Sequence, residues 1–120
     1  MEEYKLGLVE TKFAEIIWTH EPLTSRELVQ LCQQELEWKK STTYTVLKKL
    51  CDKGYFKNED GIVYSMIGKS EYFAMQSEKF VEETFDGSLP AFLAAFTKRK
   101  NLTAQEIAQI RSLIDGFQEV

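Results

Sequence analysis

Apolar side chains recur at intervals of three and four residues along the first half of the chain, which predicts amphipathic helices. The first helix runs from Leu8 to His20 and ends at Glu21-Pro22, because the residue before a proline is pushed out of the helical region. The second begins after Thr24, whose hydroxyl and the Glu27 carboxylate three residues later are spaced for a capping box. The chain therefore opens with two short helices.

A third helix follows within a few residues, with Ser41 or a neighbouring hydroxyl as its expected N-cap. Its apolar side is predicted to contain Thr43, Val46, Leu47 and Leu50, which lie three and four residues apart. The opposite side is polar and consists of Thr42, Thr45, Lys48, Lys49 and Asp52. Gly54 is expected to close the helix in the left-handed conformation.

A hairpin is predicted directly after this helix. The β-prone segments Tyr55-Phe56 and Ile62-Val63-Tyr64 flank Asp60-Gly61, a dipeptide typical of a tight hairpin turn. Three helices and a hairpin form the element order of a winged helix-turn-helix, which we expect to occupy residues 1–67. The predicted fold class is mainly α with a small β-hairpin.

Residues 68–120 are too few for a second full core, and they carry three more helical patterns. Ser70 is expected to cap the first, Ser88 the second with Pro90 in its first turn, and Thr103 with Glu106 the third. Short amphipathic helices bury their apolar faces poorly alone, which favours a homodimer interface over a self-contained helical subdomain. The predicted interface residues are Phe73, Phe80, Phe85, Phe92, Phe96, Ile107, Ile110, Leu113, Ile114 and Phe117.

Charge is distributed unevenly along the chain. The net charge is −4, yet residues 38–57 contain six lysines and one aspartate, a local charge of +5 that leaves −9 for the remainder. An acidic protein with one basic segment suits a single face that meets an anion. The basic segment coincides with the third predicted helix.

Short hydroxyl side chains and lysines on an exposed helix are suited to the major groove of DNA, because hydroxyls meet base edges or phosphates and lysines neutralise phosphates. Near the hairpin, Glu59 and Asp60 would repel a phosphate, so contact is expected through other residues of the wing. The candidate DNA-binding residues are Lys39, Lys40, Ser41, Thr42, Thr43, Tyr44, Thr45, Lys48 and Lys49, with Lys57, Asn58 and Tyr64 from the wing. Helix capping and solvated lysines are the alternative explanation of the same residues. The alternative function is that of a protein-interaction module, in which the winged helix docks an acidic protein partner.

Other chemistry has little support in the sequence. Cys32 and Cys51 are 19 positions apart and are interpreted as reduced core residues; His20 is the only histidine. No catalytic set, cofactor motif or metal site is predicted, and the protein is not expected to be an enzyme. We find no apolar run of membrane-spanning length, so membrane insertion is not expected and a cytoplasmic location is predicted.

The segment IIWTHEPLTSRELVQLCQQELEWKKSTTYTVLKKLCDKGYFKNEDGIVY resembles the penicillinase repressor family of the BlaI, MecI and CopY type. The similarity is most specific in STTYTVLKKLCDKGYF, which corresponds to a recognition helix and turn. The tail FDGSLPAFLAAFTKRKNLTAQEIAQIRSLID resembles, more loosely, the dimerisation region of that family. Together the two segments extend the likeness from about Leu6 to Phe117.

The resemblance implies a homodimeric transcriptional repressor on a palindromic operator. It also implies release through an upstream sensor or protease, with a cut at an Asn-Phe bond in the penicillinase branch. Ala95-Phe96 occupies the matching position, where the Phe is kept and the Asn is not, so core packing is the simpler interpretation of this pair. The copper branch binds metal through paired Cys-x-Cys motifs, and the tail has no cysteine, which disfavours that kind of sensing.

Overall fold

A computed structural model describes residues 5–119 of the chain. Its elements in chain order are α1 Leu8–His20, β1 Leu23–Thr24, α2 Ser25–Leu36, α3 Lys40–Asp52, β2 Phe56–Glu59, β3 Ile62–Ser65, α4 Lys69–Phe85, α5 Leu89–Thr97 and α6 Ala104–Asp115. A mainly helical fold with a small antiparallel sheet confirms the predicted fold class. The contacts divide the described residues into two compact units, the first reaching Gln76 and the second beginning at Ser77. The domain boundary near Ile67 stays a prediction.

The first two helices follow the sequence pattern. Helix α1 has the predicted bounds, and Thr24 caps α2 as expected: the Glu27 amide donates to Thr24 Oγ1 at 3.0 Å and the Thr24 amide donates to Glu27 Oε1 at 3.3 Å. These reciprocal bonds satisfy two amides that the helix itself leaves without partners. The prediction of a capping box at the start of α2 is confirmed.

The predicted cap of α3 is wrong. The residue before the helix is Lys39, whose side chain makes no capping hydrogen bond, and Ser41 lies inside the first turn. The chain turns early because Glu37 is left-handed, with φ of 56°, and the Trp38 ring stacks on Phe13 with centroids 5.6 Å apart. Anchoring of Trp38 in the core therefore starts the helix one residue before the first hydroxyl.

Gly54 ends α3 as predicted, in the left-handed region at φ of 89°. The Gly54 amide donates to the Cys51 carbonyl and the Tyr55 amide to the Leu50 carbonyl, both at 3.0 Å. This pair of bonds is a Schellman motif, which satisfies the last carbonyls of the helix. Because the motif reverses the chain, Tyr55 and Phe56 enter the core at once.

The predicted hairpin is present, with Asp60 and Gly61 both at positive φ, 53° and 83°, as a type I′ turn requires. A third strand was not predicted. Leu23 and Thr24 form β1, which pairs antiparallel with Val63 and Ile62 of β3, so that the sheet order is β1-β3-β2. A strand of two residues is too short to show the alternation of apolar and polar positions that predicts a strand, so only the tertiary pairing reveals β1.

One apolar core holds the first unit together. Its largest fully buried side chains include Phe13, Ile17, Leu28, Leu47, Leu50 and Val63. The beginning of α4 joins this core: Tyr72 is buried and its hydroxyl accepts from the Leu6 amide at 3.0 Å. Trp18 lies beside Tyr72 and donates from Nε1 to the Ile67 carbonyl at 3.0 Å. The first unit thus includes the start of α4 as well as the three helices and the sheet.

The second unit contains the end of α4 with α5 and α6. Its centre is a group of phenylalanines in edge-to-face contact, with Phe85 and Phe92 centroids 5.6 Å apart and Phe80 and Phe92 centroids 6.0 Å apart. Ser88 accepts from the Ala91 amide at 3.1 Å and Thr103 forms a capping box with Glu106, as predicted. The cap assigned to Ser70 is wrong, because α4 begins at Lys69 and Ser70 lies within its first turn.

Candidate nucleic-acid interface

The outward face of α3 is built by its helical period of about 100° per residue. Leu47 and Leu50 point into the core, so residues on the far side of the helix, including Ser41, Thr42 and Thr45, are exposed. Lys48 lies on the same outward surface. The helix therefore presents three hydroxyls and a cation to solvent from a rigidly packed backbone.

The hydroxyl of Thr45 is oriented by the helix itself. Thr45 Oγ1 donates to the Ser41 carbonyl at 2.9 Å, one turn earlier. Because this bond uses the only hydroxyl hydrogen, the oxygen can act toward a ligand only as an acceptor, and the methyl group is the apolar alternative. Such a side chain suits an exocyclic amine of a base or a thymine methyl group.

Thr43 is brought into the core and not onto this face. Its side chain is 1% exposed and its hydroxyl donates to the Lys39 carbonyl at 3.3 Å. The reason is its position one turn before Leu47, on the buried side of α3. A buried hydroxyl cannot reach a base edge, so Thr43 is left out of the contact set proposed below.

Tyr44 is half-buried beside the outward face. Its hydroxyl donates to Ser25 Oγ at 3.2 Å, and the Lys40 ammonium lies 6.0 Å from its ring centroid. Lys39 and Lys40 stand exposed at the beginning of α3, where the helix adds its own partial positive charge. The structure thus brings Lys39, Lys40 and Tyr44 together at the N-terminal end of the helix.

Lys48 and Lys49 point in different directions around α3. Lys48 forms an exposed pair with Asp52 at 3.4 Å, on its own helix. Lys49 instead reaches α1, where its Nζ lies 3.0 Å from Glu10 Oε2. The other oxygen of Glu10 accepts from the Gly7 amide at 2.9 Å. Glu10 therefore ties α3 to the beginning of α1 through Lys49.

The wing is β2 and β3 with the turn between them. Lys57 and Asn58 are exposed, and Lys57 Nζ lies 3.8 Å from Glu59. Tyr64 donates its hydroxyl to Glu59 Oε2 at 3.0 Å, and this hydrogen bond raises the pKa of Tyr64. Glu59 is thus engaged by two neighbours, which partly offsets the repulsion of phosphate expected from its charge.

Two residues that fix the wing were missed by sequence reasoning. The Ser25 amide, at the start of α2, donates to the Gly61 carbonyl in the turn at 2.8 Å. The Glu21 carboxylate accepts from the Ser65 amide at 2.9 Å and from its hydroxyl at 2.7 Å. These partners are far apart in sequence, and no local pattern signals them. Together they hold the wing against the helix-turn-helix.

The cysteine and histidine side chains of the described residues do not form a catalytic or metal site. Burial raises the pKa of the Cys32 thiol to about 11 and also raises that of Cys51. His20 is exposed at the end of α1, with Nδ1 2.9 Å from the Ile16 carbonyl. Within residues 5–119 we find no cluster of three or more His, Cys, Asp or Glu side chains able to hold a metal, and no helix apolar and long enough to span a membrane.

The predicted interface residues fall into two groups. Phe73 belongs to the first unit, where it packs edge-on against Tyr72 at 5.2 Å between centroids. The others lie in the second unit; Phe85, Phe92 and Ile110 are half-buried, and those exposed are Phe80, Phe96, Ile107, Leu113, Ile114 and Phe117. Ala95 is half-buried within α5, next to Phe96, which is 46% exposed. Several large apolar side chains of the second unit therefore stay exposed, at the end of α4, on α5, and on and directly after α6.

Comparisons with known proteins agree on one family. The family model described as penicillinase repressor matches residues 6–116. The chain is similar to the methicillin resistance regulatory protein MecI of Staphylococcus aureus strain Mu50, at 22% identity over 93% of this chain and 94% of that protein. It is also similar to the penicillinase repressor of Bacillus licheniformis, at 24% identity over 88% of this chain and 86% of that protein.

Proposed function

The chain belongs to the penicillinase repressor family and is a DNA-binding transcriptional repressor, and we propose that it acts as a homodimer on a palindromic operator. The observation that supports DNA contact is the outward face of α3, which combines exposed hydroxyls with lysines in an otherwise acidic protein. In this proposal α3 enters the major groove and the wing lies over the adjacent phosphates.

The proposed contacts divide into base readers and phosphate binders. Ser41, Thr42 and Thr45 face outward and are assigned to base edges, together with Tyr44. The proposed phosphate binders are Lys39, Lys40 and Lys48 of α3 and its N-terminal end, with Lys57, Asn58 and Tyr64 of the wing. Lys49 belongs to the same helix, and its ion pair with Glu10 supports a positioning role in which it fixes the angle of α3.

Dimerisation is assigned to the exposed apolar side chains on α5, on α6 and directly after α6. Exposed Phe96, Leu113 and Ile114 lie on short helices, and exposed Phe117 follows α6, so this apolar surface is incompletely covered within one chain. A second copy would cover this surface symmetrically, as the isologous interfaces of most homodimers do. Two α3 helices held by one dimer would then read the two halves of a palindrome.

Release of the operator is proposed to follow loss of the dimer, in response to an upstream sensor or protease. Ala95-Phe96 is the candidate cleavage position. The bond lies inside α5, and the Phe96 ring is 6.1 Å from Phe92, which supports the competing interpretation that the pair serves packing. Cleavage and packing are separated by incubating the full chain with extracts of induced and uninduced cells and then determining its mass. Fragments that end at Ala95 and begin at Phe96 support cleavage, and an intact mass supports packing.

The test of DNA binding is selection of duplexes from a random pool, followed by titration at several salt concentrations. We expect a palindromic site whose half-sites are about one helical turn apart and whose log affinity falls linearly with log salt. Failure to retain any duplex at low salt would refute the proposal in favour of a module that binds an acidic protein. A site without two-fold symmetry would refute the homodimer.

A further inference from the structure

A cavity of about 680 Å³, open to solvent on one side, lies between α3 and β2, within the first unit. Leu47 and Phe56, each 2% exposed, contribute to its floor, while half-buried Tyr44 and Cys51 form part of its wall. Met66 stands at its edge and is 56% exposed. Sites for small molecules typically have volumes of about 300–1,000 Å³ and a mainly apolar lining, and this cavity meets both conditions.

The polar side chains of the cavity are cationic or neutral. Lys48 and Lys57 line it together with Asn58. Their ammonium groups have acidic neighbours, Asp52 at 3.4 Å and Glu59 at 3.8 Å, but these are exposed pairs of the kind that contribute little. Each ammonium has three donors and so retains donors for a ligand anion. The lining therefore combines an apolar floor with two cations at its edge.

Two other kinds of chemistry are not supported at this place. Burial raises the pKa of the Cys51 thiol, which keeps the thiol protonated. Cys51 therefore lines the cavity as an apolar side chain and is not activated as a nucleophile. The described residues offer no cluster of metal-binding side chains here or elsewhere. What the lining does complement is an apolar body that carries an anionic group.

We propose that this cavity binds a small amphipathic organic anion, an aromatic or branched aliphatic carboxylate, and that the bound ligand excludes DNA. Exclusion rests on the proposed function, because Tyr44, Lys48, Lys57 and Asn58 are both lining residues and proposed operator contacts. A carboxylate between Lys48 and Lys57 would take the place of a phosphate. Base edges and phosphates are polar and do not complement the apolar floor, whereas a small apolar body does.

The first experiment measures ligand binding on the full chain without DNA. The probes are 2-naphthoate and its neutral amide, 2-naphthamide, titrated by fluorescence and by shifts of backbone amide signals. We expect saturable naphthoate binding that shifts signals between residues 44 and 66, with the amide bound about fivefold more weakly because it lacks the charge. Equal affinity for both probes, or shifts confined to residues beyond Ser77, would overturn the proposal.

Variants locate the site. Cys51→Met fills part of the cavity and Met66→Ala removes an apolar edge; each is expected to weaken naphthoate binding about fivefold. Leu8→Ala truncates an apolar side chain that is 78% exposed and outside the cavity lining, so it should leave binding unchanged. If Cys51→Met fails to fold, Met66→Ala alone still tests whether naphthoate binds in this cavity. Unchanged naphthoate binding in Met66→Ala would overturn the proposed location.

The second experiment adds the selected duplex. Saturating naphthoate should weaken duplex binding in the wild-type chain and in Leu8→Ala, and the effect should require higher naphthoate in Met66→Ala. Duplex affinity that is unchanged at saturating naphthoate would overturn the exclusion of DNA. If the chain binds naphthoate in the cavity but retains no duplex, the proposed function fails while the ligand site stands. If it binds the duplex but not naphthoate, the ligand site fails while the proposed function stands.

Discussion

Replacement of Lys48 and Lys49 separately by alanine tests the geometry of α3 most directly. The two lysines are adjacent in sequence, so their side chains are separated by about 100° around the helix. Lys48 pairs with Asp52 in an exposed contact in which the two side chains are 79% and 66% exposed. Lys49 pairs with Glu10, whose side chain is only 17% exposed. The structure therefore predicts opposite phenotypes for two chemically identical changes.

The expected magnitudes follow from these exposures. Lys49→Ala removes the partner of a mostly buried carboxylate and should cost about 1 kcal/mol, at the upper end for ion pairs near a surface. For a chain of this length such a loss lowers Tm by about 4 °C. Lys48→Ala breaks an exposed pair and should lower Tm by about 1 °C. Each lost phosphate contact reduces the salt slope by about 0.9, or about 1.8 for a dimer.

The assay combines thermal unfolding with duplex titrations at several salt concentrations. Lys48→Ala should reduce the slope with a nearly unchanged Tm, and Lys49→Ala should lower Tm with a nearly unchanged slope. Glu10→Gln is expected to imitate Lys49→Ala in stability, while Lys12→Ala removes an exposed lysine of α1 as the charge-matched control. Equal slopes for Lys48→Ala and Lys49→Ala, with no difference in Tm, would refute the assignment.

Four further outcomes are expected. Thr45→Val keeps the shape but removes the acceptor oxygen, so duplex selection should recover a changed base preference, whereas a general loss of affinity would contradict base readout. Tyr72→Phe removes the bond from the Leu6 amide and should cost about 1 kcal/mol in urea unfolding, which an unchanged midpoint would disprove. The pKa of Glu106 is lowered chiefly by the Thr103 amide, so its stabilisation is present above pH 4.5 and lost as pH falls through the folded pKa; the protection of the α6 amides, expressed as intrinsic over observed exchange rate, should fall in that range in the wild type but not in Glu106→Gln. Cys32, with a pKa of about 11, should resist iodoacetamide at pH 8 until the chain unfolds, and rapid native alkylation would contradict its burial.

Most of the local structure was predictable because its determinants are close together in sequence. The proline after His20 ends α1, Thr24 and Glu27 form their capping box, and Asp60-Gly61 adopts the turn that its composition favours. The outward face of α3 could also be predicted, since helical period alone separates Thr42 and Thr45 from Leu47. The family resemblance rested on the same segment, and the match to the family model confirms it.

Tertiary structure decided where the predicted residues point and what holds them. Strand β1 exists only through pairing with β3, and the start of α3 moved because Trp38 is anchored on Phe13. Thr43 is buried although it lies among exposed hydroxyls, and Lys49 differs from Lys48 because it pairs with a carboxylate of another helix. Hydrophobic period and capping are local and can be deduced from the sequence, whereas ion pairs and cavities join residues that only the folded chain brings together.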